Sequence, residues 1–552
     1  MSVRAGDEIP SGTVAVVRAA CPQGTRMTRL RDALGPVFDD ARFAGWFADE
    51  GRPGVAPGLL ALVCVLQSIE DLSDRAAADA VRTRIDWKYA LGLEMTEAGF
   101  DFSVLSEFRD RMCTQDRAQE LLTAMLECAA AAGLLGRRCK VRTDSTHILA
   151  RTRKLNRLEK LGEGFRLALE QIARMAPGWL APRLKPHWEK EFTHPVQIGR
   201  LPESDRAREE WGRRTAADGA WLLEQIDTDP VDGWLARLPA VKGLRAIWGQ
   251  ECVLDSCGTW HLRSTRIDPG AEHIDTPHDV DARWSSKRTT QWSGYKVHLS
   301  ETCQDDLPHL IVAVHTTAAT GSDIPALADV HTRLDVNRAT PGEHYLDEGY
   351  VTAEAIAAAE IDGIEIVGPL TRNSSWQAKQ NAGYDKSAFT LDWQAQVATC
   401  PAGRTSYSWT RRAHMAGDGA AVRFRHEDCL PCPARPSCTR SQFEGRQIVV
   451  ASRALHEIQA RNRAQQDDPA WNRRYDRRAG IEGAISEAVR GFGLRRTRYI
   501  GLAKTAVGHV LTACAINAAR IADWTERGDQ PARPRSPSPL TRLYCHAATT
   551  AS

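Results

Sequence analysis

Period-two apolar patterning, the mark of a β-strand, is scarce in this chain, and its first two occurrences are separated by about a hundred residues of helical pattern. The first, Cys139-Lys140-Val141-Arg142-Thr143-Asp144, reads as a strand ending on an acid. The pattern resumes at Tyr295-Lys296-Val297-His298-Leu299 and at His309-Leu310-Ile311-Val312-Ala313-Val314, and a helix follows from about Ile324 to Leu334. A short strand, His344-Tyr345-Leu346, ends at Asp347; a helix covers about Ala353 to Glu360; and Ile364-Glu365-Ile366-Val367 makes a fifth strand. Two helices close the chain, about Arg474 to Arg490 and Lys504 to Ile521. This order predicts an α/β fold with a mixed five-stranded sheet flanked by helices, an architecture in which strand ends carry functional side chains that loops bring together.

At 552 residues the chain is several times the usual domain size, so the sheet is expected to share it with other units. Residues 1–27 show no apolar period and are expected to be a disordered tail. Residues 28–135 read as all-helical: Leu59, Leu60, Val63 and Leu66 open a compact run, and Ser73 and Asp101 can cap the helices that follow. Such a domain suits DNA binding, and a role in packing or dimerisation fits the pattern equally. The sheet region spans 136–370, interrupted by a helical insertion at about 155–250 whose Trp179, Trp188, Trp211, Trp221 and Trp234 read as packing residues. Residues 371–446 are loop-rich and hold a cysteine cluster, 447–524 complete the core with a late helix, and 525–552 form a Pro/Ser/Arg-rich tail expected to be disordered.

Composition removes several classes. With 42% hydrophobic and 26% charged residues, and no apolar run approaching about 20 residues, a membrane span is not expected. The start lacks a basic cluster followed by an apolar core, which points to the cytoplasm, and there the 14 cysteines are expected as thiols or metal ligands. The net charge of +2 hides two basic stretches, Arg137 to Lys160 and Arg473 to Lys504, each with nine Lys/Arg and a few acids. Either stretch alone reads nearly as well as a solvated helix face. Together they suit a surface that binds phosphate while keeping carboxylates for metal.

Cleaving a phosphodiester at neutral pH requires an activated water or hydroxyl and charge neutralisation at the phosphate, and two Mg²⁺ ions held by a few converging carboxylates supply both. Asp144 and Asp347 each sit at an expected strand end, where an acid is more often a turn former. On the late helix, Tyr475, Arg478 and Glu482 fall at i, i+3 and i+7 and share one stripe beside the apolar stripe of Ile481, Ile485, Ala488 and Phe492. Glu487 lies well round the helix and is the less favoured acid.

The segments Arg142-Thr143-Asp144-Ser145-Thr146, Leu346-Asp347-Glu348-Gly349-Tyr350 and Tyr475-x-x-Arg478-x-x-x-Glu482 resemble the three catalytic blocks of bacterial insertion-sequence DDE transposases with an RNase H-like, integrase-like core. Asp281-Ala282-Arg283-Trp284-x-x-Lys287, leading into Trp292-x-Gly294-Tyr295-Lys296, looks like the same group's hallmark. The segments Leu72-Ser73-Asp74-Arg75, Trp87-Lys88-Tyr89-Ala90-Leu91-Gly92-Leu93 and Phe108-Arg109-x-Arg111 resemble its InsH-like N-terminal domain. The resemblance implies that Asp144, Asp347 and Glu482 are the catalytic triad holding two Mg²⁺ (or Mn²⁺) ions. It also implies that Tyr475, Arg478, Arg490 and Lys296 contact DNA. The expected partners are double-stranded DNA, as terminal inverted repeats and target, and a second copy of the chain, since two element ends must meet. The setting would be the bacterial cytoplasm, on the nucleoid when DNA is bound. Related transposases often carry Lys seven residues after the glutamate; here that position is Val489, with Arg490 or Arg478 left to make the phosphate contact.

Cys400, Cys429, Cys432 and Cys438 give Cys-x28-Cys-x2-Cys-x5-Cys, a set of four thiolates suited to a closed structural Zn²⁺ site that staples a segment poor in apolar residues. The cluster also resembles the insertion that such transposases carry before the catalytic helix. Cys252 and Cys257 read as ordinary thiols, and His147 and His298 as packing or hydrogen-bonding residues. Two other functions compete with transposition. A catalytically inactive or repurposed descendant acting as a sequence-specific repressor would keep nearly the same residues and would differ in lacking metal-dependent nicking. A host nuclease of the RNase H-like class would leave the helical insertion and the N-terminal helices without a purpose.

Overall fold

The computed structural model describes residues 8–47, 54–229, 233–263, 272–412 and 419–528. At its centre is the expected RNase H-like mixed sheet, built from β1 (Lys140–Leu149), β2 (Arg283–Lys287), β3 (Thr290–Thr302), β4 (Ile311–Ala318), β5 (Glu343–Tyr345) and β6 (Glu365–Val367). The order is β2-β3-β1-β5-β6, with β4 on the same side of β3 as β2. β3 runs antiparallel to both β1 and β4, whereas β1, β5 and β6 are mutually parallel neighbours. The parallel half requires crossovers, and the helices Asp323–Val336 and Ala353–Ile361 supply them. β2 is an addition to the five expected strands; it pairs with the first residues of β3 as a short hairpin, Arg283 facing Gly294 and Lys287 facing Thr290.

The expected strand end at Asp144 is overturned, since β1 continues through Ser145, Thr146, His147 and Ile148 to Leu149. Its residues beyond Asp144 pair with β3 down to Leu149 opposite Gly294. Polar side chains at Ser145, Thr146 and His147 mask the alternation that would have signalled this extension.

The helices before β1 and the last helix, Leu502–Arg527, share one continuous apolar core with the sheet. The helix Pro57–Ile69 is buried over almost its whole circumference, consistent with its uniformly apolar sequence. Within Leu502–Arg527, the fully buried Asn517 accepts the Ile311 N–H through Oδ1 at 2.7 Å and donates through Nδ2 to the Ile311 carbonyl at 2.9 Å, clamping the helix to β4. The expectation of a disordered start fails from Ser11 to Ala20, which form a helix. Val17 is buried and Thr13 donates to the Leu93 carbonyl at 2.8 Å, so the segment is ordered by docking on the helix Ile85–Leu91, and its run of consecutive apolar residues, Val14 to Val17, shows no clear period. Residues 1–7 and 529–552, and with them most of the expected C-terminal tail, lie outside the described residues, and the last helix runs to Arg527.

The helical insertion has its own core around Phe165, Trp188, Trp211 and Trp248. Its helices Arg157–Met175 and Asp205–Asp227 are capped by Asn156 and Ser204, and a hairpin, Cys252–Leu254 with Trp260–Leu262, closes it. The Cys-rich segment contains two small sheets, Thr390–Asp392 with Val397–Thr399, and Ser408–Arg411, Ala420–Arg423 and Gln447–Val450, packed on Phe389, Val422, Phe424 and Ile448. Strands of three or four residues are too short to show an alternation. The helix Arg453–Gln466 follows, and Asn462 fixes it by accepting the Leu370 N–H at 3.0 Å and donating to the Gly368 carbonyl at 2.9 Å. Among the described residues, no helix is long and apolar enough to cross a membrane.

Candidate active site

Parallel pairing of β1 with β5 ends at Arg142 opposite Tyr345. Two residues further along each strand stand Asp144 and Asp347, so equal offsets from one bridged pair bring both acids to the same face at the point where the two strands part. Asp347 Oδ1 accepts the Gly349 N–H at 3.0 Å, and Asp144 Oδ1 accepts the Ser145 N–H at 2.7 Å. Burial pushes the Asp144 carboxyl up to about 6, against the pull of Arg478 and of the Ser145 N–H.

The third acid arrives on a bent element. In place of a single helix from Arg474 to Arg490, the chain forms a helix at Pro469–Tyr475, a 3₁₀ turn at Asp476–Gly480 and a helix at Ile481–Gly491. Several contacts pin this element to the sheet. Arg474 bridges Glu343 and Glu365 at the edges of β5 and β6, Trp471, with the Tyr475 ring stacked on it, packs with Tyr345 and Val367, and Arg142 donates to the Arg477 carbonyl at 3.0 Å. Beyond the helix, the Leu149 N–H donates to the Arg495 carbonyl at 2.9 Å and the Thr497 N–H donates to the Leu149 carbonyl at 3.0 Å, returning the polypeptide to the end of β1.

Within the 3₁₀ turn, Arg478 reaches all three acids. Its Nη2 lies 2.7 Å from Asp144 Oδ2 and 3.7 Å from Asp347 Oδ2, and its Nη1 lies 3.3 Å from Glu482 Oε1. Asp144, Asp347 and Glu482 are thus assembled around a single guanidinium, from positions separated by over three hundred residues of chain.

A model described as a transposase DDE domain matches residues 399–522, the stretch that holds the four cysteines and the Tyr475, Arg478 and Glu482 block. A second, described as a transposase domain (DUF772), matches residues 16–111, the N-terminal helices. Together the two matches support an insertion-sequence DDE transposase. No curated protein and no solved structure matches it. The second match begins inside the helix Ser11–Ala20, ahead of residue 28, where the sequence period first becomes visible.

Other residues expected at the site take different positions in the fold. Lys296 is turned inward: its ammonium donates to the Gly321 carbonyl at 2.7 Å and to Asp323 Oδ1 at 3.0 Å, which leaves it holding the turn before the helix Asp323–Val336. Arg490 is exposed at the end of the Glu482 helix. Val489, in the position often held by Lys, packs against the main core, so a cation there would have to leave the apolar face of the helix. Glu487 pairs with Arg520 at 2.6 Å, away from the two aspartates. His298 is buried, donor or acceptor to the Tyr350 hydroxyl at 2.6 Å, and burial pushes it down to about 3, which keeps its imidazole neutral. His147 packs at 5.2 Å from the Trp292 ring.

One acid near the carboxylates, Asp323, was not visible in the sequence. Asp323 accepts Ser145 Oγ–H at 3.3 Å, and a β-carbon on Gly349 would stand 3.1 Å from Asp347 Oδ1 and 3.4 Å from Asp323 Oδ2, so both acids flank the same glycine. An acid directly after Ser322 signals only a helix start. Lys287, at the end of β2, is near enough to favour the charged form of Asp144.

Cys400, Cys429, Cys432 and Cys438 line one small pocket, with the Arg404 N–H on Cys400 Sγ at 3.3 Å and the Arg446 N–H on Cys429 Sγ at 3.5 Å. Burial pushes the Cys438 thiol up, and the other three sulfurs add to the shift, so all four are close neighbours. Cys252 is buried and Cys257 exposed, with no shared site. Among the described residues, no group of three or more His, Cys, Asp or Glu side chains is already arranged at ion-binding distances. At the carboxylates the reason is visible: the guanidinium stands between them. The donor chemistry nevertheless fits. A desolvated carboxylate gathered with two others around a positive charge suits a hard divalent cation, and four thiols with amide donors to sulfur suit Zn²⁺.

Proposed function

We propose that this transposase binds the terminal inverted repeats of its insertion sequence, cleaves DNA at the element ends and joins the freed 3′-OH to target DNA. The observation that carries the reading is the convergence of Asp144, Asp347 and Glu482 on one positively charged centre. Asp144, Asp347 and Glu482 would hold two Mg²⁺ (or Mn²⁺) ions. Bound there, the pair supplies activation of the attacking oxygen and neutralisation of charge at the phosphate.

The chain's own groups orient the reaction. Backbone N–H groups of Ser145 and Gly349 fix one oxygen of each aspartate and leave the other directed at the centre. Exposed Arg490, Arg496 and Arg498 lie along and just beyond the Glu482 helix and give a track for the phosphate backbone. Tyr475 and Arg478 are close enough to the acids to meet the strand being cut. Two ends must be processed together, so the active complex contains at least two copies of the chain. The four-cysteine unit holds a structural Zn²⁺ that keeps the chain between Asp347 and Glu482 folded.

The test is incubation of the purified protein with a plasmid carrying its own genomic flanks, with and without Mg²⁺, beside Asp347→Ala and Glu482→Ala. Cutting at the element ends by the unaltered protein alone, and only with metal, is the expected result. Specific binding without cutting would replace this reading with that of a repressor.

A further inference from the structure

Arg478 occupies the centre of the carboxylate group without being fully satisfied there. Its side chain is 18% exposed and makes the three contacts to Asp144, Asp347 and Glu482 described above. Its Nε is buried and has no hydrogen-bond acceptor, whereas a guanidinium in a permanent buried position normally has each donor matched. It is carried by a five-residue 3₁₀ turn between two helices, a local structure with weaker hydrogen bonds than either neighbour. The oxygens it contacts, Asp144 Oδ2, Asp347 Oδ2 and Glu482 Oε1, are those a divalent ion at the centre would need, so the guanidinium competes with an ion ligated at about 2.1 Å for the same space and the same negative charge.

We infer that Arg478 is an exchangeable counter-ion. Without DNA it holds the three acids together and competes with divalent cations for their oxygens; a DNA phosphate at the site offers it another anion, and its departure opens the carboxylates to metal. Metal loading is thereby coupled to DNA binding, so that acids able to cut DNA are kept closed until a substrate is present. The coupling is reciprocal, since whatever factor DNA applies to metal affinity, metal applies to DNA affinity. Arg478 acts here as a positioning residue. The inference rests on the reading of Asp144, Asp347 and Glu482 as metal ligands given above.

The experiment is calorimetric titration of the full chain with Mn²⁺, alone and with a duplex of its terminal repeat that ends at the cleavage position and so leaves nothing to cut. The proteins are the unaltered chain, Arg478→Ala, Arg478→Lys and the double variant Asp144→Asn/Glu482→Gln. Without DNA, Arg478→Ala is expected to bind Mn²⁺ about tenfold more tightly than the unaltered chain, and Arg478→Lys to fall between them. The duplex is expected to tighten Mn²⁺ binding about tenfold in the unaltered chain and by less than about threefold in Arg478→Ala. Equal Mn²⁺ affinity in the unaltered chain and Arg478→Ala would overturn the inference. If Arg478→Ala does not fold, the unaltered chain decides alone, because absence of tightening by the duplex also overturns it. Undiminished Mn²⁺ binding by the double variant would instead remove the carboxylates as ligands, and both readings would fall together.

Discussion

A β-carbon on Gly480 would stand 1.7 Å from Nη1 of Arg142 and 2.3 Å from its Cζ. Gly480 has φ near −63°, so the position does not need glycine's conformational freedom; it needs the absence of a side chain. Arg142 cannot move aside, because its Nε is held by the buried Glu301 at 2.7 Å and its Nη1 by the Arg477 carbonyl at 3.0 Å. This close approach is what sets the turn bearing Arg478 and the start of the Glu482 helix against β1. Gly480→Ala is expected to displace both and to lower the rate of end cleavage by about a hundredfold, with a loss of stability of about 2 kcal/mol. Cleavage kinetics beside thermal unfolding check it, and an unaffected rate would show that this contact does not place the glutamate.

The Asn517 clamp on Ile311 predicts how tightly the terminal helix is bound to the sheet. Asn517→Ala leaves a buried N–H and a buried C=O on β4 without partners, which should cost about 3 kcal/mol. Urea unfolding measures it. Because the helix shares its core with the N-terminal helices, a single transition at lower denaturant is expected, where an independently folding N-terminal unit would give two.

Elemental analysis of the purified chain should find about one Zn²⁺ per molecule, and Cys429→Ser or Cys432→Ser should reduce it to near zero. Proteolysis of such variants is expected to begin within the 371–446 segment, whose apolar cluster is small, while the helical insertion stays intact. Full zinc occupancy after either substitution would dissolve the four-thiolate assignment.

Glu163 connects pH to the stability of the helical insertion. Burial opposes its charge, but hydrogen bonds from His278, Arg166 and the Val196 N–H overcome that and bring its carboxyl down to about 2. A folded-state value below the unfolded one stabilises the fold above the unfolded value near 4.5, and the contribution is lost as pH falls toward 2. Glu163→Gln should therefore lower stability by about 2 kcal/mol at pH 7, with the gap narrowing below about pH 4.5 and closing as pH falls to about 2. Thermal unfolding as a function of pH checks it, and a gap independent of pH would assign the loss to packing alone.

The sequence by itself determined where five of the six strands fall along the chain, the three blocks around Asp144, Asp347 and Glu482, and the spacing of the four cysteines, because these are written in local periodicity and in short motifs along the chain. Only the tertiary structure decided that β1 runs on past Asp144, since that depends on pairing with β3 about 150 residues away. The same holds for the N-terminal helices, whose apolar faces look identical whether they pack on each other or, as they do, also on the terminal helix and the sheet. Lys296 and Arg478 illustrate the limit most directly. Both are cations in segments that resemble DNA contacts, yet one is tied to Asp323 and the other lies among three carboxylates. Where a long charged side chain points is set by which acids the fold brings within reach, and those acids lie on segments that nothing in the local pattern connects.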